Sequence, residues 1–178
     1  MTAEILCTVL LRLFRLDPTV ADEHSRAVVA AATSSVPAEV LVAVAYHESK
    51  FDSRALSWRD RHGQRQTGVW SANVPPKGAR PSWYCGVTQV GGWVPWETCQ
   101  RFREDVPLAY MEASQHLERW LKSPPCSRRD GHDRWQCALA GYGGGWNAIR
   151  NMSTDYADRV LRTAARFRSI AKKYGASS

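Results

Sequence analysis

The sequence lacks any apolar run long enough to cross a bilayer, so no membrane-inserted helix is expected. It lacks a Cys-x-x-Cys pair, which removes the zinc ribbon and the thioredoxin-type redox centre. No internal repeat and no low-complexity tract occurs. His47-Glu48 has Phe51 where a zinc-protease motif needs its second histidine. The Gly141 to Gly145 cluster is not followed by the Lys-Ser/Thr of a phosphate loop. No serine or cysteine has the local setting of an activated nucleophile, although a Ser-His-Asp set drawn from distant positions stays open on spacing alone. The basic residues form no helical stripe of the kind that reads DNA. Ile5 to Leu11 is apolar, but Glu4 precedes it, no basic residue leads it and Arg12 interrupts it, so a secretory signal is not expected.

Acidic residues are in short supply. Seventeen face 24 Lys and Arg, giving a formal charge of +7 and a pI near 9.4. An anionic partner is favoured: nucleic acid, anionic lipid or an acidic wall polymer. Charge alone does not choose among them.

What is present suits one domain spanning 1–178, with 44 % apolar and 23 % charged residues. Eight Trp is a high count, and Trp gathers where sugar rings stack as well as in cores. The five cysteines are odd in number. Cys126 and Cys137 flank a turn-rich segment, and Cys85 and Cys99 flank Gly91-Gly92. Either pair forms a disulfide if the protein works outside the cytoplasm; buried free thiols are the alternative.

The chain is organised around the run from Val36 to Ser49. Pro37 fits a first helical turn and Glu39 favours the positive end of the dipole. From Val40 to Tyr46 no position is charged, so the helix has no solvent face and reads as buried. Glu48 then falls at its C-terminal end, where carbonyl dipoles and burial both disfavour a carboxylate. A glutamic acid is kept protonated near neutral pH in this way. The ordinary alternative is a surface Glu at a helix end.

Two helices precede this run in residues 1–35. Ile5, Leu6, Val9, Leu10, Leu13 and Leu16 follow helical spacing. Asp17 reads as an N-cap and Pro18 as a first residue for Ala21, His24, Ala27, Val28 and Ala31, with His24 a partly covered structural histidine. After Glu48 comes a long, Arg-rich connection from Phe51 to Tyr84, with a short hairpin expected around Gln66 to Ser71 and with Trp58, Trp70, Trp83 and Tyr84 available to line a groove. Short and long helices follow over Pro95 to Arg103 and Pro107 to Lys122, the latter with a Glu118–Lys122 pair. Cys126 to Arg134 reads as a polar turn, and Trp135 to Tyr142 as a short helical face running into Gly143-Gly144-Gly145. Thr154 to Tyr174 closes the chain, burying Tyr156, Val160, Ala164, Phe167, Ala171 and Tyr174, with Asp155–Arg159 and Asp158–Arg162 pairs outside.

Four motifs carry a family resemblance. Glu48-Ser49-Lys50-Phe51-Asp52 with Ala55-Leu56-Ser57 resembles the Glu-Ser-x-Phe-Asn-Pro-x-Ala-x-Ser signature of the soluble lytic transglycosylases, which are related to goose-type lysozymes. Gly86-Val87-Thr88-Gln89-Val90 is similar to their Gly-Leu-Met-Gln-Ile/Val motif. Ala138 to Gly145 resembles Ala-x-Ala-Ala-Tyr-Asn-Ala-Gly, and Asp155 to Leu161 the closing Thr-x-x-Tyr-Val-x-x-Val-Leu segment. They occur in the family's order across a core of 36–161.

The resemblance implies a mainly α, α+β lysozyme-like fold, a helical core with a small irregular or β lobe flanking a saccharide groove. It implies a peptidoglycan-degrading lyase that cleaves between N-acetylmuramic acid and N-acetylglucosamine and closes a 1,6-anhydro ring. Glu48 would be the single acid and base, with N-acetyl assistance replacing a second carboxylate. Ser57 and Gln89 match saccharide-binding positions, and Tyr142 and Tyr156 match tyrosines near the acid. On the residues alone Ser57 also reads as a turn residue, Gln89 as a loop brace, and both tyrosines as core. Thr88 stands where the family has Met, which would remove an apolar wall contact. Gly143 stands where it has Asn, and the stretch from Trp58 to Tyr84 is longer than the usual link.

Hydrolysis of the same bond is the rival reading, with Asp60 as a possible second carboxylate and Asp52 as a nearer one. A non-catalytic wall-binding or structural protein with the same shell is the rival from another class. No cofactor or metal is expected, and the expected partner is the peptidoglycan glycan strand, approached as a monomer without nucleic-acid binding or membrane insertion. Without a signal, a small basic wall-lytic enzyme resembles a bacteriophage endolysin, made in the cytoplasm and reaching the wall through a holin-type lesion. Its charge would make lysis weaken at high salt.

Overall fold

The computed structural model describes residues 1–69, 74–80, 82–92, 94–151 and 154–175. The chain is mainly helical with one four-stranded antiparallel sheet, an α+β arrangement. Helices α1 (Ala3–Phe14) and α2 (Pro18–Ala31) lead into α3 (Ala38–Ser49). Strands β1 (Ala55–Arg59), β2 (Arg65–Val69), β3 (Trp83–Cys85) and β4 (Val90–Gly92) follow, then α4 (Trp96–Glu104), α5 (Val106–Lys122), α6 (Pro124–Ser127), α7 (Gly131–Arg150) and α8 (Asp155–Lys173).

Every residue of α3 from Ala38 to Ala45 is buried. Each of its fully covered Leu and Val side chains contributes about 1.5–3 kcal/mol relative to exposure. Such a helix needs neighbours on all sides, and α2, α5 and α8 supply them. Pro37 sits one residue outside the helix rather than in its first turn, with φ −66° and ψ 152°. Glu39 is buried in the first turn and tied to α8, its Oε1 accepting from Arg168 Nε at 2.7 Å. That ion pair fixes the start of the rod whose far end carries Glu48.

The α2 start follows the sequence pattern, Asp17 accepting from the Thr19 N–H at 2.9 Å. His24 is more deeply placed than a partly covered histidine, with 2 % exposure and Nδ1 2.8 Å from the buried Tyr110 hydroxyl of α5. Glu118 and Lys122 pair at 3.2 Å.

Five expectations need correction. The hairpin is not centred on Gln66 to Ser71: β1 pairs with β2 from Ala55↔Val69 to Arg59↔Arg65, so its turn is at 60–64; Ser71 and Trp70 lie outside the described residues. The turn region after Cys126 is partly helical, through α6 and the start of α7. The glycine cluster does not end α7, which continues to Arg150 with a break at Gly145 (φ 63°, ψ −157°). Neither α8 ion pair forms among the described residues; Asp158 instead accepts from Gln136 Nε2 of α7 at 2.7 Å. Tyr174 is 36 % exposed, its hydroxyl accepting from Arg12 rather than entering the core.

Both cysteine pairs are disulfides. Cys85–Cys99 ties β3 to α4, and Cys126–Cys137 ties α6 to α7; Cys7 is free. Each closes a short loop, a constraint contributing about 3 kcal/mol by restricting the unfolded chain.

Candidate active site

Glu48 occupies the penultimate position of α3, and the chain turns sharply just beyond it. Lys50 (φ 58°) and Phe51 (φ 68°) are two consecutive non-glycine residues in the left-handed region. Such strain persists only where surrounding structure fixes it. Here Phe51 is buried against Phe14, His24 and Tyr46. Ser49 Oγ donates to the Val87 carbonyl at 2.7 Å, joining the helix end to the loop before β4.

Beyond this turn an open cleft of about 820 Å³ separates the sheet from α3, α7 and α8. Glu48, Ser57, Gln89, Tyr142 and Tyr156 all line it. One sheet wall follows from strand periodicity. Ser57 and Arg59 of β1, Arg65 and Thr67 of β2, and Tyr84 of β3 share a face through the pairs Ser57↔Thr67, Arg59↔Arg65 and Ser57↔Tyr84, and all five line the cleft. Trp58 also borders it. Trp83 does not: it is 4 % exposed and packs edge-on against Trp96.

Burial raises the pKa of Glu48 above 4.5, while the Tyr156 hydroxyl and the Arg65 charge lower it in part. The carboxyl accepts no hydrogen bond among the described residues. The Tyr156 hydroxyl is close enough to lower the Glu48 pKa in part, while its buried oxygen closes no hydrogen bond of full geometry. Burial and the facing Glu48 raise the Tyr156 pKa well above 10, leaving a proton on the phenol at neutral pH. While protonated, a carboxyl of raised pKa beside an open cleft can donate to a ligand oxygen, and a phenol beside it can orient the carboxylate that results.

Gln89 and Ser57 form a brace. Ser57 Oγ donates to Gln89 Oε1 at 2.8 Å, and Gln89 Nε2 donates to the carbonyls of Ala55 and Gly86 at 2.9 and 3.1 Å. Gln89 itself has φ 50°. Gly86 has φ 72°, and a Cβ there would collide with the Phe102 carbonyl of α4. The loop thus needs glycine at 86 and is locked by the Gln89 amide. Tyr142 is likewise a brace, its hydroxyl donating to the Thr88 carbonyl at 2.7 Å.

Two of the three departures from the transglycosylase motifs have structural counterparts. Thr88 is fully buried and does not line the cleft, so the expected loss of an apolar wall contact does not arise; its hydroxyl donates to the Ala109 carbonyl of α5 at 3.0 Å. Gly143 lies against Tyr156, where a Cβ would stand 2.9 Å from Cδ1 of the ring.

Asp60 is not brought into the cleft. It sits in the β1–β2 turn, Oδ1 accepting from the His62 and Gln64 N–H groups at 2.9 and 3.0 Å and Oδ2 from Gln66 Nε2 at 3.0 Å. Desolvation is the largest single influence and raises its pKa, but the Gln64, Gln66 and His62 hydrogen bonds together outweigh it and hold the group below its ordinary value. Asp52 does line the cleft, with Oδ1 accepting from the Arg54 N–H at 2.9 Å.

Sequence reasoning missed the basic lining: Lys50, Arg59, Arg65 and Arg159. The alternation Ser57/Arg59 and Arg65/Thr67 was the available signal, obscured by how short and polar the strands are. Among the described residues no group of three His, Cys, Asp or Glu could hold a metal ion, and no helix is long and apolar enough to cross a membrane. No family model, curated protein or solved structure matches the chain.

Proposed function

We propose that the chain is a lytic transglycosylase of lysozyme-like fold acting on the glycan strands of peptidoglycan. The observation that carries this reading is Glu48: a mostly buried carboxyl of raised pKa at the end of an apolar helix, facing an open cleft with Ser57, Gln89, Tyr142 and Tyr156 around it. Protonated Glu48 donates to the glycosidic oxygen between N-acetylmuramic acid and N-acetylglucosamine. The C–O bond breaks with its electron pair going to the leaving oxygen, and the N-acetyl group supports the positive centre. The Glu48 carboxylate then takes the proton of the 6-hydroxyl as that oxygen closes the 1,6-anhydro ring. Arg65 favours this charged form of Glu48. The commitment of Asp60 to its turn supports a one-carboxyl route.

Hydrolysis of the same bond is the second reading, favoured by Asp52, a carboxylate on the cleft wall. Mass spectrometry of digested peptidoglycan separates the two. Anhydromuramic ends are expected; reducing ends heavier by one water would replace the lyase with a muramidase. Wall turbidity left unchanged by the wild type and by Glu48→Gln alike would leave only a wall-binding shell. The two disulfides suit an oxidising compartment and so support a site of action outside the cytoplasm, as for an endolysin released through a membrane lesion.

A further inference from the structure

The cleft wall opposite Glu48 carries an unusual pairing. Arg59 and Arg65 stand directly across from each other on neighbouring strands, with side chains on the same face. Like charges so placed repel and destabilise a two-stranded ribbon. Neither forms an ion pair among the described residues, although the Arg65 charge reaches Glu48 across the cleft. Instead each is positioned by an uncharged partner. Arg59 Nη1 donates to the Gly63 carbonyl at 2.8 Å, and the Arg65 guanidinium lies 5.6 Å from the Tyr84 ring centroid. Lys50 and Arg159 add two further cations to the lining. Among the described residues that line it, the carboxylates are Glu48 and the Arg54-bound Asp52. A cleft so lined is short of anions.

We propose that Arg59 and Arg65 form a subsite for the free carboxylates of the peptide carried on the wall glycan. This rests on the glycan reading of the cleft and adds what the strand must bear. Two guanidinium forks side by side suit a planar carboxylate, which each can grip through parallel N–H groups. Their position on the β1–β2 ribbon, on the same face as Ser57, sets the substituent along the strand from the bond facing Glu48.

The test uses insoluble walls extracted with hydrofluoric acid, which removes phosphodiester polymers, and a Glu48→Gln background, so that binding is read by sedimentation without cleavage. Adding Arg59→Gln with Arg65→Gln should weaken binding about tenfold, whereas Arg128→Gln with Arg166→Gln, removing the same charge elsewhere, should cost less than about threefold. Carbodiimide amidation of the wall carboxylates should bring all three proteins within about twofold of one another. Arg65→Lys should fall between, because an ammonium keeps the charge without the fork. Equal losses for the two double variants, a gap that survives amidation, or a gap seen only on walls retaining their phosphodiester polymers would overturn the subsite. The cleft double variant should melt no earlier than its parent, since it relieves cross-strand repulsion. Wild-type digestion of the same walls is read in parallel. Digestion without the binding contrast counts against the subsite alone; the contrast without digestion counts against the enzyme reading alone.

Discussion

Gly143 and Tyr156 are packed so that a Cβ on the glycine would stand 2.9 Å from Cδ1 of the tyrosine ring. The ring belongs to the residue facing Glu48, so the contact sets the position of the phenol from behind.

Gly143→Ala should therefore displace Tyr156. Overpacking of this kind costs about 1–3 kcal/mol, and a shift of the phenol should lower wall-clearing kcat/KM by about tenfold. Gly141→Ala is the control: the nearest atoms to its Cβ would all belong to the Trp120 ring, including Cε3 at 2.6 Å, and Gly141 does not line the cleft. Thermal melts should fall for both, and activity per folded molecule should fall only for Gly143→Ala.

Glu48 gives a pH prediction with a definite sign. Its pKa is raised from 4.5 mainly by burial. Below that ordinary value the group is protonated in folded and unfolded chains alike. As pH rises through it, the unfolded chain loses the proton first, and stability declines until the folded group ionises too. Glu48→Gln removes the decline, so its melting temperature should exceed that of wild type at pH 7.5 and match it at pH 4. Activity should be lost on the alkaline side as the donor ionises. Arg65→Gln removes a charge that lowers the Glu48 pKa, so the alkaline limb should move to higher pH. A limb that moves down would contradict the arrangement.

The buried histidines act in the opposite direction. Burial lowers His24 and His116 from 6.5 to about 4. Between those values the unfolded chain takes up protons that the folded chain refuses, so stability falls as pH drops from 6.5 towards 4. Each contributes up to about 3 kcal/mol to this loss. His116 Nε2 accepts from Trp120 Nε1 at 2.9 Å, a bond a glutamine oxygen can replace. Urea unfolding should show a shallower acid slope for His116→Gln than for wild type.

How much of this was legible follows from the range of the forces involved. The helices α1, α2, α3, α5 and α8 were visible because their apolar spacing is local, and Glu48 because it ends a run with no polar face. The sheet was legible only as a small β lobe with one misplaced hairpin. Its strands are short, β2 is polar or basic at most positions, and they are stabilised by pairings such as Ser57↔Tyr84 with residues far along the chain. The course of α7 was hidden for another reason: Gly141 and Gly143 look like helix breakers but make room for the rings of Trp120 and Tyr156. Asp158 has an arginine at the right helical spacing, and Gln136 of another helix takes its place.

The disulfides support different parts of the cleft. Cys85–Cys99 anchors β3 next to Gly86, where the loop braced by Gln89 begins, whereas Cys126–Cys137 lies at the outer end of α7. Removing either should cost about 3 kcal/mol in thermal or urea unfolding. Cys85→Ser with Cys99→Ser should also reduce kcat/KM at temperatures where the protein remains folded, and Cys126→Ser with Cys137→Ser should leave it within about twofold, because only the first pair holds the loop behind Ser57.

Asp60 contrasts a carboxylate committed to a turn with the one proposed as the acid. Its oxygens accept two backbone N–H groups and the Gln66 amide, all within the β1–β2 hairpin. Replacing it by alanine removes the acceptor that holds the turn and should lower the melting temperature modestly, since the freed donors can turn to water. Asparagine keeps one acceptor oxygen and should cost less. In neither case should cleavage by the folded enzyme fall more than about threefold, whereas Glu48→Gln should fall by at least about a hundredfold, the contribution of a positioned general acid. A loss at Asp60→Asn as large as that at Glu48→Gln, with the melting temperature unchanged, would give the hairpin carboxylate a direct part in the reaction and reinstate hydrolysis by two carboxylates.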